Sequence, residues 1–552
     1  MAVYRVTIKK VLLKMSKYGP ASVELFIRKP RGFIYASCAK TSFLLHPRAS
    51  RQNLLVGSGH GRFFIGTVTN HLSSEQAFQA NLDDVVDVLK NAGIEHFVYA
   101  TVAGQRSVVG CFDEDRLAVV SELVKTHGYS GAYLGVVSGR GIRVRRYLKR
   151  SAPWVLTKAP VLRFFKPQVS PNGILISDER SGCAIVFWQS GEDAWTSPVA
   201  NPFARQLVQR DRQRATVHVG TGIYDSYPAF VRPDPFAAAN YPIDVVYTWV
   251  DSSDPAWQSR RRAAVVESDG SELNPLAVND SRFTSRDELK YSLRSVAAFA
   301  NWVRHIYLVT DDQIPDWLDT SSDRITVVSH KELFPDSSAL PTFNSHAIET
   351  VLHRIPGLSE HFLYMNDDVF IGRPITPGLF FSSAGTPKFF RSSARYGIGP
   401  RTADDAPVDA AGKNNRDLLA QEFGIGVTTK FKHTPHALRK SVVEQVEKRW
   451  SEEVARTRGS SFRDPDDIAI ISLSHFFGYF TAQATEGKMR YAYVNIAHAN
   501  AKHRYRRLLI QDGWDAFCLN DTDNEGVDMV RQERLLSNFL QAYFPVKSPF
   551  EK

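Results

Sequence analysis

The sequence is short of the features that would place it in a membrane, in a disulfide framework or on nucleic acid. No uninterrupted apolar run in its 552 residues approaches the roughly 18–20 residues a helix needs to cross a bilayer. The segment from Met1 to Gly19 is basic, with short apolar clusters such as Val11-Leu12-Leu13. It lacks a long apolar core and a clear cleavage site, which argues against a secretory signal. A surface helix is expected over Lys9 to Lys17, with an interfacial helix as the alternative. Cysteine is scarce: Cys38, Cys111, Cys183 and Cys518 are the 4 present, far apart and with no CxxC pair. That spacing suggests neither disulfides nor a zinc site, and a reducing cytoplasm is the expected compartment. Internal repeats and long low-complexity tracts are absent too.

What is present reads as a multidomain globular protein. Hydrophobic residues make up 43% and charged residues 23%, and the length implies two or three domains. The net charge of +10 could serve nucleic acid, an anionic membrane face or anionic substrates. Its clusters (Arg260-Arg261-Arg262, and Arg140 to Arg150) come without an RNA-binding signature or a zinc finger, so charge alone selects no partner and nucleic acid is not expected.

Residues 1–223 read as an α+β region of unknown role, with room for two subdomains. Gln76 to Asn91 has helical periodicity, followed by strand-like His96 to Val102 and Ser107 to Phe112. A helix over Glu114 to Thr126 and a strand over Ala132 to Val137 come next. Runs such as Ile174 to Ser177 and Cys183 to Trp188 look like antiparallel strands. Residues 224–242 hold Pro228, Pro233, Pro235 and Pro242 and read as a linker.

From 243 to 552 strands and helices alternate. Ile243 to Val250 is a continuous β-branched and aromatic run, as in a buried parallel strand. Ser285-Arg286-Asp287-Glu288 has the pattern of a capping box for a helix bearing Leu289, Leu293, Val296 and Ala300. Strands are expected at His305 to Thr310, Ile325 to Ser329 and Phe362 to Met365, and helices over Asn344 to Ile355 and Ala437 to Arg456. Asp464-Pro465-Asp466-Asp467 reads as a helix start. The fold class is therefore α/β, an open and mostly parallel sheet flanked by helices, whose ligands bind at the carboxyl ends of strands.

Three polar clusters fall at those strand ends: Asp251 with Asp254, Asp311-Asp312-Gln313, and Asn366-Asp367-Asp368. Each alone is an ordinary turn; together they gather carboxylates where a diphosphate and its Mg²⁺ would sit. If the third strand stays extended, Asn366 and Asp368 share one face and Asp367 the other, which makes Asp368 the functional carboxylate. On the Asn344 helix, His346, Glu349 and His353 share a face open to two readings, a metal site that lacks the HExxH pattern or a solvated face. Arg463 stands just before the acidic helix start, where a guanidinium would suit phosphate.

These segments carry a resemblance. Ile243 to Val250 with Asp251 and Asp254 resembles the first signature block of the Stealth family of sugar-phosphate transferases. Arg282-Phe283, Glu288 to Ser295, Trp302 to Ile306, Gln313-Ile314-Pro315, Leu340 to Ser345 and Phe362 to Asp368 resemble the second. Asn414-Asn415-Arg416 through His433-Thr434-Pro435-His436 resembles the third, and Cys518-Leu519-Asn520-Asp521 with the C-terminal Phe544-Pro545 and Ser548 to Glu551 the fourth. The family includes bacterial capsule and exopolysaccharide enzymes, to which this chain is most similar, and the animal N-acetylglucosamine-1-phosphotransferase. The resemblance implies a UDP-sugar donor such as UDP-N-acetylglucosamine, an oligo- or polysaccharide acceptor, a divalent metal (Mg²⁺) and transfer of hexose-1-phosphate.

Residue by residue, it implies catalytic roles for Glu349, Asp368, His436 and Arg463. It implies substrate contacts for Asp244, Trp249, Asp251, Asp254, Arg294, Asn366 and Asn415, and metal binding by Asp368 with Asp521. The general base is left open between Glu349 and His436, and Asn520 could also meet phosphate. A cytoplasmic place of work is expected, with contact to membrane-bound polysaccharide machinery. The rival readings are a glycosyltransferase using the same donor and a non-catalytic nucleic-acid or glycan binder.

Overall fold

The computed structural model describes residues 54–552 apart from 60–61, 71–73, 102–103, 129, 139–140, 148–157, 172, 233–235, 237–238, 268–282, 403, 512 and 522–527. The expected Lys9–Lys17 helix, Cys38 and Arg282 lie outside the described residues.

The first unit is a six-stranded sheet. Its order is His96–Val98, Val108–Phe112, Cys183–Trp188, Val161–Phe165, Tyr133–Ser138 and Gly141–Tyr147. Alternation along Cys183–Trp188 decides its two faces. Ile185 and Phe187 pack with Leu82 and Val85 of helix Ser74–Asn91 and Val120 of helix Arg116–His127. Val186 and Trp188 turn to an aromatic cluster with Phe97, Tyr99 and Phe230. The strand is antiparallel to Val161–Phe165, as expected, but parallel to Val108–Phe112. The expected linker is also shorter. Tyr224, Tyr227 and Phe230 are buried in this first core, and Ser226 Oγ donates to Val98 O at 2.6 Å. Aromatic burial anchors the segment despite its prolines.

The second unit is built on a five-stranded sheet ordered Ile325–Ser329, Ile306–Thr310, Ile243–Thr248, His361–Asn366 and His436–Arg439. The first four run parallel and the last is antiparallel. Val246, Tyr364 and Leu438 face a core made with helices Lys440–Arg449 and Ile470–Phe480. Val245, Tyr247 and Met365 face helix Glu288–Phe299 and a second, three-stranded sheet. Burying both faces, at about 1.5–3 kcal/mol per large aliphatic side chain, is why Ile243–Thr248 reads as an unbroken apolar run.

Four helix expectations are corrected. His436–Arg439 is a strand, followed by helices Lys440–Arg449 and Ser451–Gly459; Ala437 and Leu438 fill opposite cores, which only a pleat allows. The Asn344–Ile355 helix is one turn, Ser345–Glu349, then a 3₁₀ turn, Leu352–Arg354. Thr350 Oγ1 donates back to Ala347 O at 2.7 Å, a bond that competes with helix continuation. Asp464-Pro465 does not start a helix: the acidic run folds as a turn, with Asp464 N donating to Asp467 Oδ2 at 3.0 Å, and the helix begins at Ile470. Helix Glu288–Phe299 has Asp287 rather than Ser285 at its N-cap, in the left-handed region with φ 65°. Asp287 pairs with Lys290, while Glu288 turns inward and accepts from Arg286 N at 2.6 Å.

Candidate active site

The pleat of His361–Asn366 sends Tyr364 and Asn366 to one face of the sheet, and two walls form there. On the first wall Tyr364 OH donates to Glu349 Oε1 at 3.2 Å and meets Thr248 Oγ1 at 3.1 Å. Tyr364 is the cross-strand partner of His436, and their rings stack at 6.4 Å. His436 Nδ1 in turn meets His475 Nε2 at 3.1 Å. Arg463 reaches this wall because Asn344 Nδ2 and Phe343 N bind the carbonyls of Phe462 and Ser461 at 3.2 and 2.7 Å. Its Nη2 donates to Ser345 Oγ at 2.8 Å, and its Nε is buried without a partner among the described residues.

The second wall lies past Asn366, where the strand ends and Asp367-Asp368 turn into strand Val369–Ile371. That strand pairs with Ala516–Asn520, setting Val369 opposite Cys518. Asp368 Oδ2 accepts from Asn520 Nδ2 at 2.9 Å and from Cys518 Sγ at 3.3 Å. His433 lies between, with Nε2 on Asn366 Oδ1 at 3.2 Å and Nδ1 at 3.3 Å from Cys518 Sγ and 3.8 Å from Asp368 Oδ2. Asn366 and Asp368 do converge, although through a turn and a shared histidine rather than an extended strand. Asp367 goes elsewhere, towards Glu288 and Tyr247 on the opposite face.

Burial sets the electrostatics of both walls. Desolvation raises the Glu349 carboxyl to about 7 against the opposing pull of Arg463 and the Tyr364 hydrogen bond. Desolvation, then His475 and His433, hold His436 well below its ordinary range, so its imidazole is neutral. Burial alone takes His475 to about 3. Asp367 is pushed well up by desolvation and by Glu288, which itself rises to about 7 through burial.

Several expected contacts are structural here. Asp244, fully buried at the start of its strand, is bound by Arg304 at 2.8 and 2.5 Å and by Ser359 at 2.7 Å. It lies at the end of the sheet remote from Asn366. Arg294 clamps Glu551 at 2.8 and 2.6 Å and Phe544 O at 2.9 Å, tying down the C-terminus. Asn415 spends its amide on Ala469 and Ser472. Each is engaged by neighbouring protein groups, which gives it a structural role in the fold. His346 and His353 are buried rather than solvated; His353 Nε2 meets Glu447 at 2.7 Å.

Trp249, Asp251 and Asp254 do follow the carboxyl end of Ile243–Thr248. Gln313 bridges the two acids, holding Asp251 N and O at 3.0 and 2.8 Å and Asp254 Oδ2 at 3.0 Å. Trp249 Nε1 is buried without a partner among the described residues. Asp311 and Asp312 are instead consumed by Arg260 and Lys331. Three residues at the site were given no role from the sequence. His475 lies in an apolar helix with no polar pattern around it, and His433 and Cys518 stand in the family blocks without a local signal of their own.

Two groups of atoms near the strand end have the chemistry of cation donors. Asp368 Oδ1 and Asp521 Oδ1 are both buried carboxylate oxygens with no hydrogen-bond partner among the described residues, although Asp521 Oδ2 is held by Arg286 at 2.8 Å. Such oxygens suit a hard cation. On the other side of Asp368, its carboxylate, His433 and Cys518 cluster with metal-ligand spacing.

At the carboxyl edge of a parallel sheet the fold gathers a buried glutamate, neutral imidazoles and a buried arginine, and comparison with known proteins shows that this α/β protein is a transferase. Four family descriptions match in order: Stealth protein conserved region 1 over residues 241–265, region 2 over 282–389, region 3 over 432–478 and region 4 over 507–552. An exopolysaccharide phosphotransferase of Streptomyces coelicolor is 41% identical over 91% of this chain and 87% of its own length. A second from that organism is 36% identical over 94% and 93%, and the exopolysaccharide phosphotransferase CpsY of Mycobacterium leprae 33% over 88% and 90%. The chain belongs to the Stealth family. Among solved structures, the galactosyltransferase LgtC aligns with 54% of this chain and 95% of its own at 11% identity and a TM-score of 0.28, too distant to bear on the chemistry.

Proposed function

We propose that this enzyme transfers hexose-1-phosphate from a UDP-sugar, such as UDP-N-acetylglucosamine, to a hydroxyl of an oligo- or polysaccharide in exopolysaccharide or capsule synthesis. The observation that carries this reading is the convergence of Glu349, His436 and the unpartnered Arg463 Nε on one wall, beside the strand end that leads to Asp368. The Streptomyces and mycobacterial relatives, named for exopolysaccharide phosphotransfer, support the substrate class.

Phosphoryl-type transfer needs in-line attack, neutralisation of the non-bridging oxygens and a stabilised leaving group. The acceptor oxygen attacks the sugar-bearing phosphorus, the bond from that phosphorus to the bridging oxygen breaks, and UMP leaves. Glu349, poised near neutrality, takes the acceptor proton. His436, neutral and held by His475, orients the hydroxyl. Arg463 Nε, with no competing partner among the described residues, donates to a phosphate oxygen. Asp368 and Asp521 would hold Mg²⁺ through their unpartnered Oδ1 atoms, where it would offset diphosphate charge. Asp251, Asp254 and Trp249 border the same edge and are assigned to the nucleotide side. The place of work is the cytoplasmic face of the membrane, beside the polysaccharide machinery; among the described residues no helix is long and apolar enough to cross a membrane.

Incubation with a panel of UDP-sugars, Mg²⁺ and short oligosaccharides tests this by product mass. The expected product gains sugar plus phosphate. A gain of sugar alone would make the enzyme a glycosyltransferase.

A further inference from the structure

We propose that Asp368, His433 and Cys518 form a site for a borderline divalent cation of the zinc class, separate in its donor atoms from the carboxylate oxygens assigned to Mg²⁺. The three ligand atoms are Asp368 Oδ2, His433 Nδ1 and Cys518 Sγ, separated by 3.3, 3.3 and 3.8 Å. Bond lengths of about 2.0–2.3 Å to oxygen, nitrogen and sulfur at tetrahedral angles put such atoms roughly 3.3–3.7 Å apart. The triangle already present is thus close to one face of a zinc tetrahedron.

Two further contacts prepare these atoms for an ion. His433 has its other ring nitrogen, Nε2, on Asn366 Oδ1 at 3.2 Å. A carbonyl oxygen there requires the proton on Nε2, which turns the Nδ1 lone pair to Asp368 and Cys518. This is the arrangement that metal-binding histidines use to fix their tautomer. Asn520 Nδ2 holds the ligating oxygen of Asp368 at 2.9 Å, the matching support for a carboxylate ligand. Asp368 and His433 lie in turns, and each is held by the last residue of a strand, Asn520 and Asn366 respectively.

The donor set decides the class of ion. Imidazole and thiolate select zinc-like cations, whereas magnesium and calcium require oxygen. Cys518 is fully buried; a cation displaces its thiol proton, and carboxylate plus thiolate then balance the two positive charges. Three protein ligands leave a fourth position for water or a substrate oxygen. His433, partly exposed, borders that opening.

The test is titration of the full-length, metal-free protein with Co²⁺, read by absorption, with no nucleotide sugar present; it therefore stands apart from the transfer reaction. One equivalent of Co²⁺ is expected to produce a thiolate-to-cobalt charge-transfer band and tetrahedral d–d bands. Equimolar Zn²⁺ bleaches both, and excess Mg²⁺ leaves them in place. Cys518→Ser loses the charge-transfer band. His433→Gln, at a partly exposed position that tolerates the change, loses tetrahedral binding even if the buried serine impairs folding. Asn366→Ala weakens Co²⁺ binding by about 10- to 100-fold. Absence of a charge-transfer band in the wild type, or its survival in a folded Cys518→Ser protein, would overturn the assignment.

Discussion

Glu349 holds its proton far above the ordinary range of a glutamate, and this has consequences for both rate and stability. Desolvation moves the group from 4.5 to about 7 in the folded protein, so between those values the native state binds the proton that the unfolded chain has released. Its contribution to stability is complete below about 4.5 and is lost as pH rises through about 7. Glu349→Gln should flatten that part of the stability profile, measured by denaturant unfolding across the same window. As the proton acceptor, ionised Glu349 gives an acid limb in kcat with a midpoint near 7. Glu349→Gln should lose about 10²–10⁴-fold in kcat and lose that limb; a variant that keeps the limb assigns it to another group. His475→Phe, which removes the partner of His436 Nδ1, should lower kcat while leaving UDP-sugar affinity unchanged, read by calorimetry.

At the scale of elements, three of the residues expected as substrate contacts hold elements together. Asn415 joins helix Pro407–Phe423 to the start of helix Ile470–Phe480. Its replacement by Ala should cost about 1–3 kcal/mol through unsatisfied buried groups, with donor affinity unchanged; a selective loss of donor binding would restore it to the site. The strand Ile243–Thr248 was legible because burial on both faces writes an unbroken apolar run. His436–Arg439 was not, because a four-residue antiparallel edge has no period of its own and borders a long helical pattern. The catalytic candidates were legible through the family motifs, and Asp368 also through its strand-end position. Asp244, Arg294 and Asn415 lie in those motifs too, but motif membership does not separate a buried clamp from a substrate contact. Cys518 and His433 stand 85 residues apart in the chain, so their meeting depends on a strand pairing that no local pattern announces.

Over the whole molecule, two sets of cores are assembled from separate stretches. The first draws on residues up to Val231 and the second on residues from Ala239 onward. Contact between the units includes Asn301 with Glu75 and the close approach of Gly104, at φ 78°, to Ile375 O. A chain beginning at Tyr241 should therefore fold and bind UDP-sugar. Comparing its polymer synthesis with the full chain assigns the first unit: equal synthesis makes it structural, and loss of transfer with donor binding intact makes it the acceptor or docking module. The central claim is phosphoryl rather than glycosyl transfer, and the fate of the donor's β-phosphate tests it most directly. With UDP-sugar labelled at that phosphorus, the account predicts label in the glycan product and release of UMP, both abolished by Asp368→Asn. Release of labelled UDP with an unlabelled glycan would contradict it.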